Sequence, residues 1–200
     1  MLALTGYLQH LLRRFLDLRK RQIDLMSQQG KLWVMWADQD WVSSRILYLE
    51  TLPQLWPAAG LLGHKSLEQY LKAFLRSNGE KTEWGGDSGH NLIKLEKHCK
   101  RYDRFFENPT VIHRFQIFYD IYRGWRYPAR VRGSALSPEV EFMGDNHLLE
   151  LDETVAMVRP RIDLKRLGLP LRFEECYNVL PDQRKFVEWA RKDNNSFAKM

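Results

Sequence analysis

Apolar residues recur at intervals of three and four along most of the chain, which is the spacing of one face of an α-helix. A first apolar stripe, flanked by arginines and lysines, predicts a helix that ends at Gly30. A second helix begins near Lys31 and reaches Pro53, and Pro57 opens a third that ends at Asn78-Gly79. Since no stretch of useful length alternates with the two-residue period of a β-strand, the pattern predicts an all-α fold.

The second half of the chain continues this pattern. The polar stretch 80–89 contains three glycines and predicts a loop, after which Asp87 or Ser88 caps a helix that starts near His90. The later predicted boundaries are Asn108-Pro109, Gly124 with Pro128, and Pro160, and a last short helix lies around Phe186 and Trp189. Residues 129–146, rich in glycine and proline, are predicted to be neither helix nor strand.

Composition narrows the class of protein. The 200 residues are 44% hydrophobic and 12% aromatic, which supplies a core for one domain and argues against a disordered chain. No window approaches the roughly 18 uninterrupted apolar residues of a membrane-spanning helix. Two cysteines, Cys99 and Cys176, are too few for a disulfide scaffold or a four-cysteine zinc site, and they are typical of a reducing compartment. We therefore expect a cytoplasmic protein.

The positive charge is unevenly distributed. The net charge of the chain is +6, with +3 in residues 1–30, +4 in 31–130 and −1 in 131–200. Such a balance permits a polyanionic partner and is also common among soluble proteins that have none. Apolar residues in the first segment, such as Leu8, Leu12 and Phe15, predict burial of this basic helix in the domain or in a dimer.

A run of arginines and aromatic residues between Arg114 and Arg132 is the most distinctive local feature. Five arginines accompany a single aspartate, and tyrosines and a tryptophan lie between them. Guanidinium groups match phosphate oxygens, and aromatic faces stack on bases. Alternatively, the aromatic residues belong to the core and the arginines to a solvated face with ion pairs.

Motifs for several common chemistries are missing. The sequence contains no glycine-rich phosphate loop, no HExxH, no CxxC and no nucleophile elbow. His98 and Cys99 are adjacent, so a helix directs them to different faces and they make a poor metal site. We therefore expect no catalytic residues, no metal and no cofactor.

Two weaker indications of a binding site lie on either side of the predicted loop 80–89. Lys72 follows Glu68 by one helical turn, which usually means a surface ion pair. His90-Asn91 stands at a predicted helix start, where such residues bind anions, act as acids or cap the helix.

Three short motifs follow one another at fitting distances. They are Glu68, Leu71, Lys72 and Ala73; His90, Asn91 and Leu92; and Arg126, Tyr127 and Pro128. Over about residues 32–162 this order resembles the HEPN family (higher eukaryotes and prokaryotes nucleotide-binding). The resemblance implies a four- or five-helix up-and-down bundle over 31–162, usually dimeric. The basic amphipathic helix at 1–30 and a C-terminal extension with a short helix at 163–200 lie outside the resemblance.

The resemblance also implies a function. Some family members cleave RNA in toxin–antitoxin or defence systems, and others bind ligands or act beside a small nucleotidyltransferase. The nuclease members need an arginine followed by four to six residues and a histidine, an arrangement that this chain lacks. We therefore expect non-catalytic binding of a nucleotide, RNA or another phosphate-bearing ligand. The ligand-facing residues implied are Lys72, His90, Asn91, Arg126 and Tyr127.

Two alternatives come from other classes of protein. One is an RNA-cleaving enzyme in which His113 works with Arg104 or Arg114. The other is an interaction or dimerisation subunit, which solvent exposure of Trp33, Trp36 and Trp41 would favour.

Overall fold

The fold is all-α in a computed structural model of the chain, which describes residues 27–50, 55–80, 89–126, 145–177 and 181–200. The helices are α1 (27–50), α2 (Trp56–Ser77), α3 (Leu92–Cys99), α4 (Pro109–Arg126), α5 (Asp145–Val158), α6 (Phe173–Tyr177) and α7 (Pro181–Arg191). Short 3₁₀ turns occupy Arg104–Glu107, Arg159–Arg161 and Phe197–Lys199. Within these ranges there is no strand, so the predicted fold class is confirmed. None of the helices described combines the length and apolar character needed to cross a membrane.

Helix α2 lies at the centre of the bundle and packs against α3, α4 and α5. It begins with a proline in its first turn and ends at Asn78, and Gly79 adopts a left-handed φ of 87°. Both ends agree with the prediction, because proline and glycine act on the backbone locally. Hydrogen bonds from Ser44 and Ser66 to carbonyl groups tie α1 and α2 together, each at 2.8 Å. The elements that carry the candidate site are therefore firmly joined.

The predicted helix end at Gly30 is wrong, because α1 runs through this residue. A Cβ at Gly30 would lie 2.6 Å from Leu167 Cδ2 and 3.4 Å from Arg76 Cγ. The absence of a side chain at this position thus permits close packing and does not stop the helix. The rest of the predicted N-terminal helix, with Leu8, Leu12 and Phe15, lies outside the described residues.

Helix α3 is shorter than predicted and begins later. Its cap is Asn91, whose side-chain oxygen accepts a hydrogen bond of 3.0 Å from the Lys94 N–H. The helix ends at Cys99, and Asp103 then caps the following 3₁₀ turn through the Phe105 N–H at 2.8 Å. The proposed caps Asp87 and Ser88 lie outside the described residues. Asn91 is therefore a capping residue, whatever else it does.

The C-terminal part of the chain completes the same core. Phe173, Tyr177, Val187 and Ala190 belong to one buried cluster with residues of α1, α2 and α5. Trp41 of α1 meets Phe173 edge to face, with ring centroids 5.5 Å apart. The C-terminal segment therefore contributes to the stability of the bundle.

Glu96 provides a test of pH-dependent stability. Its carboxylate is buried, lies 3.1 Å from Lys100 Nζ, and burial raises its pKa above the ordinary value of 4.5. Because a raised pKa in the folded state favours the protonated form, the stability that Glu96 contributes is present below about pH 4.5 and is lost as the pH rises through the folded-state pKa. We expect Glu96→Gln to melt at a higher temperature than the wild type at pH 7, with the difference shrinking towards pH 4. Equal differences in melting temperature at both pH values, measured by circular dichroism, would contradict this.

Candidate functional site

The carboxylate of Glu68 joins two residues that were predicted separately. Its Oε1 lies 2.5 Å from Lys72 Nζ, and its Oε2 lies 2.9 Å from His90 Nδ1. The side chains of Glu68 and Lys72 are 7% and 9% exposed, whereas that of His90 is 43% exposed. Glu68 and Lys72 thus form a largely buried pair, and His90 bonds the same carboxylate from a position more open to solvent.

Local structure explains how these groups meet. Glu68 and Lys72 are one turn apart on α2, so they share a helix face. The segment before α3 is fastened by the cap of Asn91, whose Nδ2 also donates to Tyr119 Oη on α4 at 2.9 Å. His64 of α2 donates from Nε2 to the His90 carbonyl at 3.1 Å. His90 is therefore held from both α2 and α4.

An aromatic stack closes the inner side of this cluster. The rings of His64 and Tyr122 lie 4.1 Å apart and are nearly parallel, at 11°. The His90 ring is 6.1 Å from Tyr122. Both His64 and Tyr122 are buried, so they form a wall rather than an open stacking platform.

A cleft of about 230 Å³ opens above these residues. Its lining consists of Leu61, Leu62, His64, Lys65, Glu68, His90 and Tyr122. Lys65 is exposed at the rim of the cleft, and its Nζ lies 3.4 Å from a carboxylate oxygen of Asp40 in α1. Burial raises the pKa of Asp40. The volume is below the roughly 300–1,000 Å³ of typical small-molecule sites, which suits one part of a ligand better than a whole nucleotide.

The structure brings together part of the predicted set. His90 lines the cleft, Lys72 pairs with the lining residue Glu68, and Asn91 follows His90 and donates to Tyr119. Arg126 is the last residue of α4, four residues after Tyr122 and so one turn further along the same helix. The side chain of Arg126, and the whole of Tyr127, lie outside what is described.

Several residues of the site were not predicted from the sequence as site residues, among them His64, Tyr119 and Tyr122. His64 precedes Glu68 by four residues, so the helical spacing could have placed both on one face. Tyr119 and Tyr122 were noted only as members of the basic–aromatic run. Their role depends on the packing of α4 against α2, which no local pattern encodes.

Residues of the alternative interpretations lie elsewhere. Arg114 forms ion pairs with Glu150 and Glu153 of α5, as the alternative expects, but its side chain is only 12% exposed and so does not lie on a solvated face. His113 and Arg104 are exposed. Of the three tryptophans, Trp41 is fully buried, Trp33 stacks under Arg76, and Trp36 is 46% exposed. The exposure that would favour an interaction subunit is thus limited to Trp36.

The chemistry available in the cleft is hydrogen bonding and charge. Glu68, His64 and His90 bring carboxylate and imidazole groups together, but no group of three residues in the described part could hold a metal ion. The most accessible polar groups of the lining belong to Lys65 at the rim and to His90, whose side chains are 58% and 43% exposed. Such a set can bind an anion that enters from solvent.

No family model matches the chain, and no curated protein or solved structure was found to be similar to it.

Proposed function

We propose that the chain is a HEPN-like protein that binds a nucleotide, RNA or another phosphate-bearing ligand at the cleft of α2, α3 and α4, without catalysing a reaction on it. The family is proposed because the order of the three sequence motifs resembles that of HEPN proteins. A homodimer, and action beside a nucleotidyltransferase in a toxin–antitoxin or defence setting, belong to the same proposal because the resemblance implies them.

One observation carries the proposal. The Glu68 carboxylate binds both Lys72 and His90, which lie in two different sequence motifs on either side of residues 81–88. A surface ion pair within one helix would not need His90, and a helix cap would not need Lys72 or Glu68. The joining of the two motifs at an open cleft supports a shared role in binding.

Arg126 extends the site in the proposal. It follows Tyr122 by one turn on α4, and the run from Arg114 to Arg132 has a net charge of +4. A guanidinium group can hold phosphate through two hydrogen bonds, which a lysine cannot do. Arg126 would therefore hold a phosphate that reaches beyond the cleft.

Calorimetry with AMP, ADP, ATP and a short RNA, with adenosine as the phosphate-free control, tests the proposal. We expect the phosphate-bearing ligands to bind and adenosine to bind much more weakly. His90→Gln should weaken binding by about 1.5–3 kcal/mol, the range for a hydrogen bond to a charged group. This corresponds to a rise in Kd of roughly tenfold to 150-fold.

His98→Gln is a matched control. His98 lies on α3 and its Nδ1 is 3.1 Å from Glu80 Oε1, so it makes the same kind of pair as His90 away from the cleft. Its replacement should leave the affinity unchanged. If no phosphate-bearing ligand binds the wild type more tightly than millimolar, or if both histidine variants lose affinity equally, the proposal is wrong.

A further inference from the structure

The two ring nitrogens of His90 are in different situations. Nδ1 lies 2.9 Å from Glu68 Oε2, and because a carboxylate only accepts hydrogen bonds, Nδ1 carries a proton. Nε2 has no hydrogen-bond partner among the described residues. The ring lines the cleft and its side chain is 43% exposed. Nε2 is therefore the atom of His90 that is available to a ligand.

The charged and titratable groups around His90 come from three helices. They are Asp40 from α1, then His64, Lys65, Glu68 and Lys72 from α2, and Tyr119, Tyr122 and Arg123 from α4. Among them, Glu68 is the acidic group bonded to the ring, and Asp40 is paired with Lys65. The Glu68 carboxylate therefore fixes the orientation of the His90 ring through Nδ1.

Lys72 has a separate task in this arrangement. A buried carboxylate is costly unless an opposite charge or several hydrogen bonds compensate it. Lys72 supplies that charge at 2.5 Å from Oε1, and it does not line the cleft. Its charge is thus already matched by Glu68.

We infer, on the basis of the proposed function, that Nε2–H of protonated His90 binds the terminal phosphate of a phosphomonoester, and that Glu68, held by Lys72, is the positioning residue that orients this imidazole. The dianionic end group gains most from an imidazolium donor. The small cleft accepts that group while the rest of the ligand extends past the rim at Lys65. Binding of the phosphate is then coupled to a proton on His90.

The pH profile of AMP binding tests this coupling. Calorimetry on the wild type, His90→Gln and Glu68→Gln between pH 8.0 and 6.5 separates the protein from the ligand, because the titration of AMP itself, near pH 6, is common to all three. As the pH falls over this range, we expect the ratio of the wild-type affinity for AMP to the affinity of His90→Gln to rise by at least about threefold.

Glu68→Gln keeps an oxygen for the Lys72 ammonium group but removes the negative charge. We expect it to lose most of the pH-dependent gain in affinity, and Glu68→Asp, which restores a carboxylate, to recover part of it. Circular dichroism checks that each variant folds. If Glu68→Gln does not fold, the pH profile of Glu68→Asp is compared with that of the wild type instead. A role of Glu68 in stability alone would leave the pH profile unchanged.

The outcomes distinguish the two proposals. If the wild type binds AMP but its pH profile coincides with that of His90→Gln, this inference is wrong and the proposed function stands. If the pH profile of Glu68→Gln equals that of the wild type, Glu68 does not position His90 for phosphate binding. If AMP and the other phosphate-bearing ligands fail to bind the wild type at any pH, the proposed function fails, and the inference with it.

Discussion

Replacing Asp38 by alanine is expected to lower the free energy of unfolding by about 3–5 kcal/mol, the usual loss when one partner of a buried ion pair is removed. Asp38 of α1 lies 3.0 Å from Arg159 Nε, and its side chain and that of Arg159 are completely buried. The carboxylate also accepts hydrogen bonds from the hydroxyl groups of Tyr70 and Tyr177. Its removal would leave a buried guanidinium and two buried hydroxyl groups without their acceptor.

The pKa values of these partners agree with a strong interaction. Burial disfavours the charged form of Arg159, but the charge of Asp38, together with contributions from Tyr70, from the hydrogen bond to Asp38 and from Cys176, outweighs burial and raises the pKa of Arg159. Burial, together with the same carboxylate, raises the pKa values of Tyr70 and Tyr177, so both phenols stay protonated as donors.

Urea denaturation at pH 7 measures the effect, and Asp40→Asn is the matched control on the same helix. Asp40 pairs with the exposed Lys65 at 3.4 Å, so its loss should change the stability by less than about 1 kcal/mol. If both variants lose the same free energy of unfolding, the buried Asp38–Arg159 pair contributes no more to stability than the Asp40–Lys65 pair.

Replacing Arg45 by methionine is expected to have a similar effect, again about 3–5 kcal/mol. The guanidinium of Arg45 is buried, forms an ion pair with Asp152 of α5, and donates to the carbonyl groups of Trp189 and Lys192. Methionine fills much of the volume but leaves Asp152 as an unmatched buried charge. Among the residues that the structure describes, Asp152 then retains only the hydrogen bond of 2.9 Å from Trp41 Nε1.

Hydrogen exchange gives this prediction a local readout. Arg45 connects α1 to the C-terminal end of α7 through the carbonyl groups of Trp189 and Lys192. When Arg45 is replaced, amide protection in 181–192 should therefore fall more than protection in α2. Arg191→Gln is the control, since Arg191 is 58% exposed and pairs with Glu174 at 2.6 Å. If Arg45→Met and Arg191→Gln lose comparable stability, or if α2 loses protection first, Arg45 does not have this role.

The helices were predictable where their signals are local. The ends of α2, the start of α4 at Pro109 and the end of α5 before Pro160 agree with the prediction, since proline and glycine restrict or free the backbone wherever they occur. The start of α3 was missed because several residues near it could cap a helix, and Asn91 has the role. The short helix α6 was also missed, since five residues carry too little periodicity to stand out.

The candidate site was predictable in part. Two of its motifs, around Lys72 and His90, were found through the resemblance, and the helical spacing of Glu68 and Lys72 predicted their pairing. The bond from Glu68 to His90 spans 22 positions in the chain, and no spacing rule predicts it. The same holds for the stack of His64 on Tyr122, which depends on how α2 and α4 pack.

By itself, the sequence determined the all-α class and most helix boundaries, because apolar periodicity, proline and glycine act within a turn or two of the backbone. Tertiary structure decided which polar groups meet. Asp38 and Arg159 are 121 positions apart, and Arg45 and Asp152 are 107 apart, so only packing could identify them as partners. Packing also decided that Gly30 lies inside a helix, since the nearby Leu167 leaves no room for a side chain. A hydrophobic pattern states which face is buried, but it leaves open what that face is buried against.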